Sequence, residues 1–138
     1  MNWTTKTQGD YPLEAAIRLI GEDLLIAVWG GTQPHIGAVG IAHPRPSLKD
    51  PEQTSATASV YTVIGHKEDA VAQMMAVKIA AALNRMVVLT AGIHWDNLTP
   101  EAIKEIVAAC EALTKTIIRE AKEKNWQKVR IRRQWKSD

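Results

Sequence analysis

Phenylalanine is absent from this 138-residue sequence and tyrosine occurs only twice, so a core must be built from aliphatic side chains. The single cysteine, Cys110, excludes an internal disulfide and suits a reducing compartment. No apolar run approaches the ~20 residues that a membrane-spanning helix needs. The opening MNWTTKTQGDYP lacks the apolar stretch of a secretory signal, so the cytoplasm is the expected location. The phosphate-loop pattern, the G-x-G-x-x-G turn, the G-x-S-x-G elbow and the HxH, HExxH and CxxC spacings are missing as well. Gly37-Ala38-Val39-Gly40 falls inside a strand pattern and does not count as a dinucleotide turn. These gaps remove the best-marked nucleotide-binding, hydrolase and metalloenzyme classes.

Five tryptophans, by contrast, are many for the length, and 46% of the residues are hydrophobic. That composition supports one domain spanning 1–138 with a modest core. The net charge of +2 is unevenly spread: residues 115–138 carry nine Lys/Arg against three acids, and residues 1–114 carry eight against twelve. The basic end, KEKNWQKVRIRRQWK, could meet an acidic partner, although a solvated tail over 125–138 is the plainer reading. Nucleic-acid binding is therefore not expected, and residues 1–12 read as an N-terminal extension.

Leu13 to Ile20 alternates apolar and polar residues as a half-buried strand does, and Gly21-Glu22-Asp23 turns it into Leu24 to Trp29. Ile36 to Ala42 and Ala56 to Ile64 read as a third and fourth strand. Gly65-His66-Lys67 opens a helix that should stop at Asn84. Arg85 to Ile93 is a fifth strand, apolar on both faces. Thr99-Pro100-Glu101 is a strong helix start, with a capping hydroxyl, proline in the first turn and an acid beside it. The helix it begins carries Ile103, Ile106, Val107, Cys110, Leu113, Ile117 and Ala121 on one stripe, which makes Cys110 a packed thiol rather than a nucleophile. The expected fold is α+β in the order ββββαβα: an antiparallel sheet of five or six strands, the sixth coming from VRIRRQW, with two helices on one face. The opposite face also needs cover, so a homodimer or higher homo-oligomer is expected.

The chemistry should lie between His35 and His66. All four histidines stand at element ends, and the long loop between strands three and four holds His43, Arg45, Ser47, Lys49 and Ser55, donors of the kind that grip phosphate. Gly65 and its neighbours His66 and Lys67 offer free backbone N–H groups at a helix start. His35, His66 and His94 with Glu68 or Asp69 could hold a divalent metal, though polar residues at loop edges are the commoner explanation of such histidines. In an antiparallel meander, His35 and His66 share one edge of the sheet, His43 shares the other with the start of strand four, and His94 could join either.

The runs PHIG, PRPSLKDP followed by SAT, GHKED and GIH, spread over roughly Leu13 to Lys122, resemble the small accessory subunit of UbiD-type decarboxylases such as gallate decarboxylase. That family is described as a prenylated-flavin chaperone with a fold similar to the proteasome assembly chaperones. The resemblance implies a non-enzyme that binds prenylated FMN, or FMN, and hands it to an apo-decarboxylase. Carried onto these residues, it would give the phosphate to Arg45, Ser47 and Lys49, and the lining of the site to His35, His66 and His94. Gly37, Ala38 and Gly40 would leave room for the ring, and Trp29 or Trp95 could stack on it. A small metal-dependent enzyme and an assembly chaperone without cofactor are the competing readings.

Overall fold

In a computed structural model, residues 1–63 and 68–124 are described; the expectations that rest on His66, Lys67 and the basic tail lie outside them. The elements are β1 (Asn2–Lys6), β2 (Leu13–Ile20), β3 (Asp23–Gly31), β4 (Ala38–Pro46), β5 (Thr54–Thr62), α1 (Asp69–Leu83), β6 (Val87–His94) and α2 (Pro100–Glu123). Six strands form one sheet in the order β1-β2-β3-β6-β4-β5. Both helices lie on one face, where α1 packs on β4, β5 and β6, and α2 on β1, β2 and α1.

This is the expected α+β order, with a sheet that is mixed rather than purely antiparallel. Strand β3 pairs with β6 in parallel, Leu24 to Val87 through Gly31 to His94. The chain leaves β3, makes the β4–β5 hairpin and α1, and returns as β6 between β3 and β4. The four expected meander strands are therefore two hairpins, split by a central strand. Among the described residues the sixth strand is Asn2–Lys6, inside the segment read as an extension, paired antiparallel to β2. Its Thr5 hydroxyl donates to Glu120 Oε1 at 2.7 Å, and Lys124 Nζ lies 5.1 Å from the Trp3 ring centroid, which ties the edge of the sheet to α2.

Alternation explains the layering. On the helix side, Ile17, Ile26, Leu89 and Ala38 are fully or almost fully buried against Met75, Ile79, Leu113 and Ile117. Small residues let α1 approach closely: a Cβ added at Gly40 would come within 2.8 Å of the Ala72 carbonyl oxygen. Ile103 and Val107, placed on the inner stripe of α2 by spacing, are 50% and 41% exposed, because the helix turns Ala102, Ile106 and Cys110 inward instead. No helix of the described residues is long and apolar enough to cross a membrane.

Helix termini follow the sequence signals. Asn84 ends α1 in the left-handed region at φ 52°, and Thr99 caps α2 by accepting from the Ala102 N–H at 3.1 Å. Thr99→Ala should cost about 1 kcal/mol, read as a lower urea midpoint at unchanged slope. Burial, and secondarily the neighbouring Glu111 carboxylate, pushes the Cys110 thiol up to about 11. At neutral pH it carries almost no thiolate, so a thiol reagent should label Cys110 only after the protein is unfolded.

Candidate functional site

Because β3 and β6 run parallel and β4 runs against them, the ends of β3 and β6 meet the start of β4 at one edge of the sheet. Three backbone approaches build that edge. The Thr32 N–H donates to the His94 carbonyl and the Gly37 N–H to the Ala91 carbonyl, both at 2.9 Å. The His35 carbonyl lies so close to Gly92 that a Cβ there would be 1.5 Å from its oxygen. His35 and His94 are thus held at the same end.

Each of these histidines faces a carboxylate. His35 Nε2 is 3.0 Å from Glu68 Oε1, with side chains 22% and 11% exposed, and its Nδ1 donates to the Gln33 carbonyl at 2.9 Å. Both ring nitrogens are engaged, so a metal ion could take His35 as a ligand only by displacing one of them. Glu68 stands immediately before α1, and Gly37 provides its space, since a Cβ there would come within 2.5 Å of Glu68 Oε2. His94 Nε2 lies 2.9 Å from Asp96 Oδ1 in a more open position. Among the described residues no group of three or more His, Cys, Asp or Glu side chains could hold a metal ion.

Beside this edge is a cavity of about 590 Å³, within the usual range for small-molecule sites. Its wall includes Trp29, Trp95, Lys6, Glu14, Thr7 and Thr32. Lys6 and Glu14 are register partners across β1 and β2, and Glu14 pairs with Trp29 across β2 and β3. Tyr11 meets Trp95 edge-on, with centroids 5.2 Å apart and planes at 87°, which fixes the indole in place. The donor set fits a phosphorylated flavin: indoles for a flat ring, an ammonium and hydroxyls for a phosphate. Sequence reasoning missed Lys6, Thr7 and Glu14 as lining residues. The only available signal was the weak alternation of Trp3 and Thr5 against Asn2, Thr4 and Lys6.

The remaining expected residues gather at the opposite end. The His35 carbonyl sits against Gly92, five strand steps along β6 from Val87, the register partner of Ala42 next to His43, which is about 17 Å at strand rise. His43 and Pro44 line a second cavity of about 450 Å³ with Glu22, Asp23, Arg85 and Met86. Arg45 donates from Nε to Thr57 Oγ1 at 2.6 Å and from Nη1 to the Pro46 carbonyl at 3.1 Å. The β4–β5 loop is closed by its own bonds: the Ser47 N–H donates to the Gln53 carbonyl, and Ser47 Oγ accepts from the Lys49 N–H. Ser55 pairs with Arg45 in the hairpin register. The structure therefore brings His35 together with His94 and Glu68, and His43 together with Arg45, Ser47, Lys49 and Ser55. The two groups are too far apart to line one pocket of a few hundred Å³.

Comparison with known proteins adds to this geometry. Residues 7–122 match the model of the prenylated flavin chaperone LpdD-like domain. The chain is 33% identical over 117 residues to Protein LpdD of Lactiplantibacillus plantarum, covering 83% of this chain and 80% of that protein. Among solved structures, a chain from a chaperone complex for yeast 20S proteasome assembly matches with a TM-score of 0.49 and 16% identity, over 86% of this chain and 97% of its own. The extent of the family match and the identity to a curated relative agree: this chain belongs to the family of prenylated flavin chaperone LpdD-like domains.

Proposed function

We propose that the protein binds prenylated FMN in the cavity beside His35 and His94 and passes it to a UbiD-type decarboxylase, without catalysing a reaction itself. The observation that carries this reading is the tryptophan-lined hollow of about 590 Å³, whose lining includes Pro34 and Trp95, the chain neighbours of His35 and His94, but not the two histidines expected to line the site. Trp29 and Trp95 would hold the ring system, Lys6 and Thr32 would take the phosphate, and the His35–Glu68 pair would fix the loop that borders the hollow. When bound, the flavin brings the chemistry that the client decarboxylase uses. This chain's own side chains bind and shield it. Membership in a prenylated flavin chaperone family supports the assignment of the ligand, and the single buried thiol suits a reducing cytoplasm.

Transfer tests the reading. Protein loaded with prenylated FMN, desalted and mixed with an apo UbiD-type decarboxylase should restore decarboxylation at substoichiometric free flavin. A decarboxylase that gains nothing over a buffer control would remove the delivery role. Activity of the loaded protein alone on a phenolic acid would favour an enzyme instead.

A further inference from the structure

We infer that the end of the molecule bearing His35 and His94 is the docking surface for the protein that takes the flavin, a partner with apolar side chains inside a basic rim. The inference rests on the delivery role proposed above. The apolar part comes from α2. Ile103, Val107, Cys110, Thr114, Ile117 and Ala121 recur at alternating steps of four and three, so they form one stripe along the helix. The last four are 1% exposed or less, whereas Ile103 is 50% and Val107 41% exposed. The stripe therefore runs on past the part of the protein that covers it, and its uncovered turns are the first two of the helix. Ile36, 62% exposed, stands at the same end beside His35. Large apolar side chains gathered at one end, rather than scattered singly, mark a contact surface.

Position ties this surface to the cavity. Strands β1, β3 and β6 all end at this edge, and α2 starts there, joined to β6 by a connection that carries Trp95 of the cavity wall. Charge then selects the partner. Asp10, Asp69, Asp96, Glu101 and Glu105 are exposed at this edge, and the described bases beside them are Lys6, which lines the cavity, and Lys104. Asp69 and Glu101 also serve their own helix starts, but Asp10, Asp96 and Glu105 lie outside those first turns. A protein that accepts a phosphorylated flavin presents cations where the phosphate enters. Its mouth and this acidic rim attract each other, which brings the two sites into line. Two copies of this end would repel, which sets a second copy aside.

Size fits a partner that must be released. Six strands about 4.8 Å apart make this end about 24 Å wide, and one sheet with one helix layer is roughly 20 Å deep. The area is on the order of 500 Å², below the ~800 Å² per partner of a standard stable interface and within the range of transient encounters. A carrier that hands over its cargo and leaves needs a contact of that class. The exposed turns of α2 supply its apolar centre, and the acids around them supply the steering.

Isothermal titration of the flavin-free full chain into an apo UbiD-type decarboxylase tests the surface without the flavin. The wild type should bind, and raising KCl from about 0.05 to about 0.5 M should weaken binding about tenfold or more. Ile103→Ser with Val107→Ser, both at exposed positions, should weaken it about tenfold or more with unchanged circular dichroism. Asp10→Lys with Glu105→Lys should weaken it as well and flatten the salt dependence. Neither pair should change the colour retained from prenylated FMN after desalting, because none of the four side chains lines the cavity. The new thiol of Ile103→Cys protein should react with a maleimide in the protein alone and be protected by the decarboxylase. No binding by the wild type, or binding indifferent to both pairs, would overturn the proposal and leave the flavin reading standing if colour is retained. Protection of that thiol in the protein alone would overturn it too, giving the stripe to a second copy or to another segment of this chain.

Discussion

Gly92→Ala is expected to lower the unfolding free energy by about 3 kcal/mol or more, toward the upper end of what overpacking costs. The added Cβ would fall 1.5 Å from the His35 carbonyl oxygen and 2.2 Å from its carbonyl carbon. Both are backbone atoms, so no rotamer change relieves the clash, and the 32–37 segment must move off the end of β6. That segment carries His35 and, through it, the contact with Glu68. A urea titration followed by circular dichroism should show the midpoint fall. The Gly37 N–H, which donates to the Ala91 carbonyl, should exchange with solvent much faster than in the wild type. A variant as stable as the parent would mean that the 35–92 approach is not a fixed feature of the fold.

Trp29→Ala is expected to weaken prenylated FMN binding about 10- to 100-fold while leaving the fold intact. An aromatic face under a planar ring is worth about 1–3 kcal/mol by alanine substitution, and each 1.4 kcal/mol is about tenfold in affinity. Trp29 suits this test because it lies on the sheet face turned away from the helices, between Glu14 and Gly92 in the register, and supports none of the buried core. Lys6→Ala should add a second loss through the phosphate, since a hydrogen bond to a charged group contributes about 1.5–3 kcal/mol. Titration by flavin fluorescence, with Tyr61→Ser as a same-face control, separates a lost ring contact from a general change of this sheet face. Equal weakening by all three variants would move the ring away from Trp29.

Local signals in the sequence were strong wherever local chemistry decides the structure. The Thr99-Pro100-Glu101 start and the Asn84 stop are written in capping preferences, and both hold. The β2–β3 hairpin and the β4–β5 pairing follow from alternation and turn residues. The position of β6 is not local. The stretch Arg85 to Ile93 reads as apolar on both faces, which says that it is central but not which neighbours it separates, and the parallel pairing of β6 with β3 spans the whole hairpin and α1. That insertion decides which histidines share an edge. It joins His94, which the strand pattern left open, to the end that bears His35, while the separation of His35 from His43 already follows from the direction of β4. Strand β1 escaped notice because five residues with a single large apolar side chain, Trp3, show little periodicity. With it went Lys6 and Thr7, now on the wall of the larger cavity.

The most direct measurement of the central claim is the visible absorbance retained after incubation with prenylated FMN and rapid desalting. The account predicts a wild-type protein that stays coloured. It predicts that an Arg45→Ala, Lys49→Ala double variant at the far hairpin stays equally coloured, and that a Lys6→Ala, Trp29→Ala double variant emerges colourless. A colourless wild type, or colour lost with the hairpin pair and kept without Lys6 and Trp29, would contradict it.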